Sequence, residues 1–232
     1  MRIPEDVLRA AGPVAEWCED HEGLSGDVWR AGSSYVKRSG AAEHTRLRWL
    51  GQHFEVPEIR VFSGDWLVLA DVGAPSLTKA DPVLAGTVMG EVLRALHSLP
   101  VTSCPFDAGV AVLVEEARHN VEAGLVDPAD FDDDNLGATP QELLDRLVAT
   151  APPSEDLVVT HGDFCPSNVL LRPDGSTVLI DVARLGVSDR HRDLALVHRE
   201  LSGQAADAFD RAYGRTPHPP ALAWYRLVDE FF

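Results

Sequence analysis

Apolar residues recur every three or four positions along PVLAGTVMGEVLRALHSL, which begins at Pro82. The same period marks VAVLVEEARHNVEAGL and TPQELLDRLVATA further on. That spacing lays the apolar side chains along one face and predicts three helices. Pro100 stops the first, and Thr139 with Pro140 suits the N-cap and first position of the third. Upstream the pattern changes. VWR and SSYVKR read as strands, AAEHTRLRWLGQ from Ala41 as a helix, and VPEIRVF with WLVLAD as a hairpin turned at SGD. A turn cluster, His21 to Asp27, precedes the first strand. Late in the chain VLLRPDGSTVLID reads as a hairpin turned at Pro173-Asp174-Gly175, with two helices after it. A small β-rich part followed by a larger helical part predicts an α+β fold in two lobes, residues 1–71 and 72–232, joined near Asp71-Val72-Gly73.

Composition narrows the setting. A chain of 232 residues is long enough for one large domain or two packed lobes. No apolar run approaches the roughly 18 residues of a membrane helix. The mixed, acidic start argues against a signal peptide. Cys18, Cys104 and Cys165 are scattered without a CxxC spacing, which fits a cytoplasmic protein rather than a disulfide framework or a zinc site. Lys+Arg 20 against Asp+Glu 37 gives a net charge of −17. Such a surface repels nucleic acid and anionic membranes and attracts cations. Simple solubility and a polycationic ligand explain it equally well.

The chemistry concentrates in HGDFCPSNVLL. His161-x-Asp163, with Asn168 five residues on, has the spacing of a kinase catalytic loop. Phosphoryl transfer needs a carboxylate to take the proton of the attacking hydroxyl, here Asp163. It also needs oxygen donors for Mg²⁺, one of them neutral, because the metal stands beside an already anionic triphosphate. Asn168 supplies the amide, and Asp181, at the end of the hairpin's second strand, supplies the carboxylate. A phosphate-binding cation is expected at Lys37, on a strand end after the glycine-containing turn. Backbone N–H groups around Ser25 and Gly26 could cover the phosphates. Glu43 shares a helical stripe with Leu47 and Leu50, so it should point inward and need a partner. Six residues of chain reach about 20 Å, enough for Lys37 to be that partner.

From Val158 to Leu196 the sequence closely resembles the aminoglycoside 3′-phosphotransferases. LHSLPVTSCPFD at Leu96 and the terminal WYRLVDEFF resemble them too. The resemblance implies the two-lobed protein-kinase-like fold, ATP and Mg²⁺ as cofactors, and an aminoglycoside acceptor phosphorylated on its 3′-hydroxyl. It implies Asp163 as base, Asn168 and Asp181 as metal ligands, Lys37 and Glu43 as the nucleotide pair, and Asp71 and Val72 beside adenine. Asp193 would brace the catalytic loop, or simply favour its own helix terminus. Several ammonium groups on the acceptor call for carboxylates: Asp130, Asp132, Asp133 and Asp134 in an acidic loop, then Asp229, Glu230 and the carboxylate of Phe232. Arg184 and Arg199 match arginines near the acceptor. The chain is shorter than the family's usual length, in the Lys37–Glu43 linker and around Leu201–Gln204. Gly203 and Ala129 replace acidic positions. A monomer or weak dimer is expected, without nucleic-acid or membrane partners. The alternatives are a kinase of this fold for another small hydroxyl compound, and a protein that sequesters aminoglycosides without catalysis.

Overall fold

A computed structural model describes residues 3–19 and 28–232. By its contacts the chain divides into two units, residues 1–79 with 167–184, and residues 80–166 with 185–232. The expected boundary after residue 71 therefore falls inside the first unit, which also takes the late hairpin.

The first unit is built on an antiparallel sheet of five strands in the order β1-β2-β3-β5-β4. The strands are β1 (Cys18–Glu19), β2 (Val28–Ala31), β3 (Ser34–Arg38), β4 (Ile59–Ser63) and β5 (Trp66–Ala70). Side chains alternate between faces along a strand, so Val36 and its ladder partner Val68 share one face. There they pack with Val7 and Ala11 of α1 (Glu5–Ala11), beneath Trp66. Lys37, paired with Leu67, points to the opposite face. α2 (Ala41–Leu50) packs on β4 and β5, and Gly40 at its N-terminus lies against Leu67. Covered on both faces, β5 is buried along four consecutive residues. A hairpin of β7 (Val169–Leu171) and β8 (Thr177–Leu179) completes the unit. It is tied on through Leu171 N–H to Pro75 O at 2.9 Å and Leu179 N–H to Glu55 O at 3.1 Å.

The second unit contains α3 (Pro82–Leu96), α4 (Val110–Glu122), α5 (Pro140–Ala149), α6 (His191–Glu200), α7 (Gly203–Tyr213) and α8 (Pro219–Asp229). It also holds a ribbon of β6 (Leu157–Thr160) and β9 (Gly186–Asp189). Thr139 and Glu142 form a capping box on α5, so both ends of that reciprocal pair satisfy backbone donors that the helix leaves open. Leu113, Leu143, Leu147, Trp224, Leu227 and Phe231 fill the core of α4, α5 and α8. No helix among the described residues is long and apolar enough to cross a membrane.

Three features depart from the expectations. Three helices follow the late hairpin instead of two: α7, GQAADAFDRAY, buries Ala205, Ala208, Phe209 and Tyr213 at helical spacing, a periodic face that the reading of the sequence passed over. α1 spans only seven residues, too few to display a period. The β6–β9 ribbon joins two four-residue segments far apart in the chain, and such pairing leaves no local trace.

Candidate functional site

In the first unit, Lys37 places its ammonium 2.9 and 3.0 Å from the two carboxylate oxygens of Glu43 and against Asp181 Oδ1 as well. The shortened linker is no obstacle: Lys37 projects from the α2 face of the sheet, and Glu43 lies in the first turn of α2. Glu43 is only 4% exposed, in line with Leu47 and Leu50. Burial would push the Lys37 ammonium down, but the facing carboxylates outweigh it and raise its pKa. Burial also pushes the Glu43 carboxyl up, opposed by Lys37. The lysine is therefore held as a cation, ready for an anionic ligand.

Asn168 and Asp181 belong to the two ends of the β7–β8 hairpin. The Ile180 N–H donates to Asn168 O at 3.1 Å, which fixes the backbone beside both residues. Asp181 lies just past β8, with φ of 56°, in the left-handed region that asparagine and aspartate tolerate better than most residues. Buried Asn168 offers a neutral oxygen and half-exposed Asp181 a carboxylate. Mg²⁺ takes only one or two carboxylates from protein and completes its shell with phosphates and water. The pair fits that demand. No cluster of three or more His, Cys, Asp or Glu among the described residues forms a self-sufficient metal cage.

The other expected nucleotide residues divide. Asp71 accepts from Arg30 Nη2 at 3.1 Å and from Gly73 N–H at 2.9 Å, and its own N–H donates to Ser33 O. Val72 follows it, partly buried. Ser25 and Gly26 lie outside the described residues. Arg184 ends a single 3-10 turn, Val182–Arg184, that packs on α2 in this same unit.

In the second unit β6 delivers the catalytic-loop sequence. The Asp163 N–H donates to His161 Nδ1 at 3.3 Å, and the His161 ring stands edge-on to buried Phe164 at 5.8 Å. Asp193, fully buried in the first turn of α6, grips the loop from beneath. Its Oδ1 accepts from Gly162 N–H at 2.8 Å and its Oδ2 from His161 N–H at 2.8 Å. His97 Nε2 lies 3.0 Å from the same Oδ2. Burial acts to raise the Asp193 pKa, but the His97 contact and these backbone donors win and hold it below the usual carboxylate range. The bracing geometry expected of Asp193 is present.

The acidic loop and the last helix meet. Glu230 accepts from Asp132 N–H at 3.2 and 3.3 Å and from the Asn135 amide. Asp229 pairs with Arg199 of α6. Burial pushes the Glu230 carboxyl up. Asp130 and Asp133 are exposed on the loop. Phe232 is exposed beside buried Phe231, whose carbonyl accepts from Asn120 at 2.8 Å. Asp132, Arg199, Asp229 and Glu230 thus gather at one place in this unit.

Sequence reasoning passed over His97 and Tyr213. His97 closes α3 as an ordinary-looking C-cap, in a stretch noticed only for its resemblance. Tyr213 ends α7, whose existence was missed.

A family profile described as the phosphotransferase enzyme family matches residues 28–227. The chain is 42% identical to an aminoglycoside 3′-phosphotransferase of Streptomyces fradiae, covering 99% of this chain and 100% of the relative. It superposes on a crystal structure of an aminoglycoside-3′-phosphotransferase of type VIII with a TM-score of 0.84 and 37% identity, over 94% and 93% of the two chains. It is similar also to the aminoglycoside phosphotransferase APH(3″)-Id from Streptomyces rimosus in complex with ADP and streptomycin. That similarity has a TM-score of 0.79 and 28% identity, over 97% and 96% of the chains.

Proposed function

The chain belongs to the phosphotransferase enzyme family, and we propose that it transfers the γ-phosphoryl group of ATP to the 3′-hydroxyl of an aminoglycoside antibiotic, so conferring resistance. The observation that carries this reading is the ion pair of Lys37 with Glu43 at 2.9 Å. A sequestering protein with a collapsed nucleotide lobe has no use for a buried lysine held cationic, and breaking such a pair is costly. Lys37 would neutralise the phosphates of ATP. Asn168 and Asp181 would hold Mg²⁺, which when bound offsets charge on the β- and γ-phosphates. Lys37 now occupies Asp181, so nucleotide phosphates would compete with that carboxylate for the lysine.

Asp163 would accept the proton of the attacking hydroxyl, on a loop whose backbone Asp193 immobilises. The acceptor's ammonium groups would be met by Asp130, Asp132, Asp133 and Asp229, with Phe232 beside them. Glu230 would act by holding the acidic loop. Arg199 would orient Asp229, and Arg184 is assigned to the acceptor on family position alone. ATP use, and cysteines without a disulfide framework, suit a cytoplasmic enzyme.

The test is a coupled nucleotide-turnover assay with Mg²⁺ against kanamycin, neomycin, streptomycin and a 3′-deoxy analogue. Turnover is expected with acceptors that carry the 3′-hydroxyl and not with the 3′-deoxy compound. Turnover on streptomycin alone would move the phosphate to another hydroxyl. Tight antibiotic binding without turnover would favour sequestration.

A further inference from the structure

Beneath the catalytic loop a chain of hydrogen bonds continues beyond His97, and its direction can be worked out. His97 Nδ1 lies 2.9 Å from Tyr213 Oη, a buried contact between the end of α3 and the end of α7. Arg190 Nη1 donates to the same hydroxyl oxygen at 2.9 Å. The guanidinium is itself held by both oxygens of Asp156, through Nε and through Nη2 at 2.9 Å.

Arginine has donors and no acceptor, so Tyr213 can only accept from Arg190. Its single proton is left free for His97 Nδ1, which accepts it when the ring is neutral and carries its own proton on Nε2. From the other end, Asp193 is held ionised and an ionised carboxylate only accepts. His97 Nε2 must therefore donate to it. For the neutral ring, Asp193 demands the proton on Nε2 and Tyr213 satisfies the Nδ1 that this leaves bare. In that tautomer every bond of the series from Asp156 to the catalytic-loop amides runs donor to acceptor without conflict.

We propose that Tyr213, backed by Arg190, is a positioning residue for phosphoryl transfer: it locks the His97 tautomer that lets Asp193 hold the His161 and Gly162 amides. The role in catalysis rests on the phosphotransferase reading, while the lock itself does not. α3 and α7 approach closely along Gly86 and Gly90, with no side chain to separate the backbones. That close approach brings His97 onto Tyr213. Losing the tyrosine hydroxyl leaves Nδ1 without a donor. The ring can then turn over, and Asp193 loses a fixed partner.

The test uses the full chain with ¹⁵N-labelled histidine. In the wild type, His97 should show Nδ1 unprotonated and Nε2 protonated at neutral pH. This measurement needs no variant and no turnover, and a protonated Nδ1 would overturn the proposal. In Tyr213→Phe the two signals should move toward averaged values, and the His161 and Gly162 amides should exchange with solvent about fivefold to tenfold faster, the equivalent of one buried hydrogen bond. kcat should fall by a similar factor, with KM for ATP and for the acceptor unchanged. Unchanged nitrogen signals, or lost signals with exchange and kcat within twofold of wild type, would overturn it. If the wild type turns over no aminoglycoside, the function proposed above fails, and the nitrogen and exchange measurements still decide the lock.

Discussion

Gly86 runs so close to Ala205 that a methyl group on its α-carbon would stand 2.1 Å from the Ala205 carbonyl oxygen. Replacing a helix-interior glycine by alanine normally adds about 0.5–1 kcal/mol of stability. Here the obstacle is backbone, which cannot swing aside, and overpacking of this kind costs about 1–3 kcal/mol. The clash should win. Gly86→Ala is expected to lower stability by about 2 kcal/mol in denaturant titration, and Gly90→Ala, with Phe209 O at 2.6 Å from the added carbon, to act in the same direction. A stabilised Gly86→Ala would show that α3 and α7 are less tightly apposed than described.

Lys37 and Glu43 form a pair that tests stability and chemistry separately. Lys37→Met should leave Glu43 buried without its cation and cost about 3 kcal/mol, with nucleotide turnover lost. Adding Glu43→Leu should recover most of that stability and none of the turnover, since an apolar pair of similar volume fills the space without a stranded charge. Thermal unfolding and the coupled assay on both variants check this. Failure of the double variant to recover stability would mean that Asp181, the other partner of Lys37, carries much of the cost.

These two cases show what the sequence could reveal. Glu43 was legible because three residues at helical spacing, one of them charged, are informative when two of them are leucine. Asn168 and Asp181 were legible because a hairpin turned at Asp174-Gly175 has a fixed return length. The α3–α7 contact was not: α7 carries a helical period, but nothing local says which helix its face meets, and the meaning of Gly86 and Gly90 appears only when two helices are already face to face. His97 and Tyr213 are 116 residues apart, and no local pattern ties them. Of the expected acceptor carboxylates, Glu230 proved to be engaged with the backbone of the acidic loop, a role that composition cannot separate from ligand binding.

Asp163→Asn should lower kcat by about 10²–10⁴, the usual worth of a positioned general base, while ATP and antibiotic still bind. The substitution keeps size and leaves the Asp193 contacts to the loop backbone in place, so the melting temperature should stay within a few degrees of wild type. Calorimetric titration alongside the coupled assay separates the two effects. Residual turnover within tenfold of wild type would remove Asp163 from the proposed role.

Asp193 sets an acid limit on the fold. Its folded pKa is depressed, so between the unfolded value, about 3.9, and its lower folded value the unfolded chain binds more protons. Its contribution is fully present above that window and is lost as pH falls through it, at up to about 1.4 kcal/mol per pH unit. Asp156 and Asp189 are depressed in the same direction, so wild type alone cannot isolate one residue. Asp193→Asn should start less stable at pH 7 and show a shallower loss below pH about 4. Parallel curves for the two proteins would assign the acid limit elsewhere.

The acceptor side yields a prediction about salt. A polycation approaching a chain of net charge −17 is drawn by a field that reaches about 30 Å at 0.01 M ionic strength and about 8 Å at 0.15 M. KM for an aminoglycoside should therefore rise steeply over that range, while KM for ATP, an anion assigned to Lys37 under the proposed function, should not rise in step. Glu230→Gln should add a second, salt-independent increase in acceptor KM. The amide removes the charge that faces Asp132 N–H and Asn135, and so loosens the acidic loop without taking away an exposed carboxylate. If acceptor KM in the variant differs from wild type only at low salt, Glu230 attracts the antibiotic through its charge instead of shaping the loop that receives it.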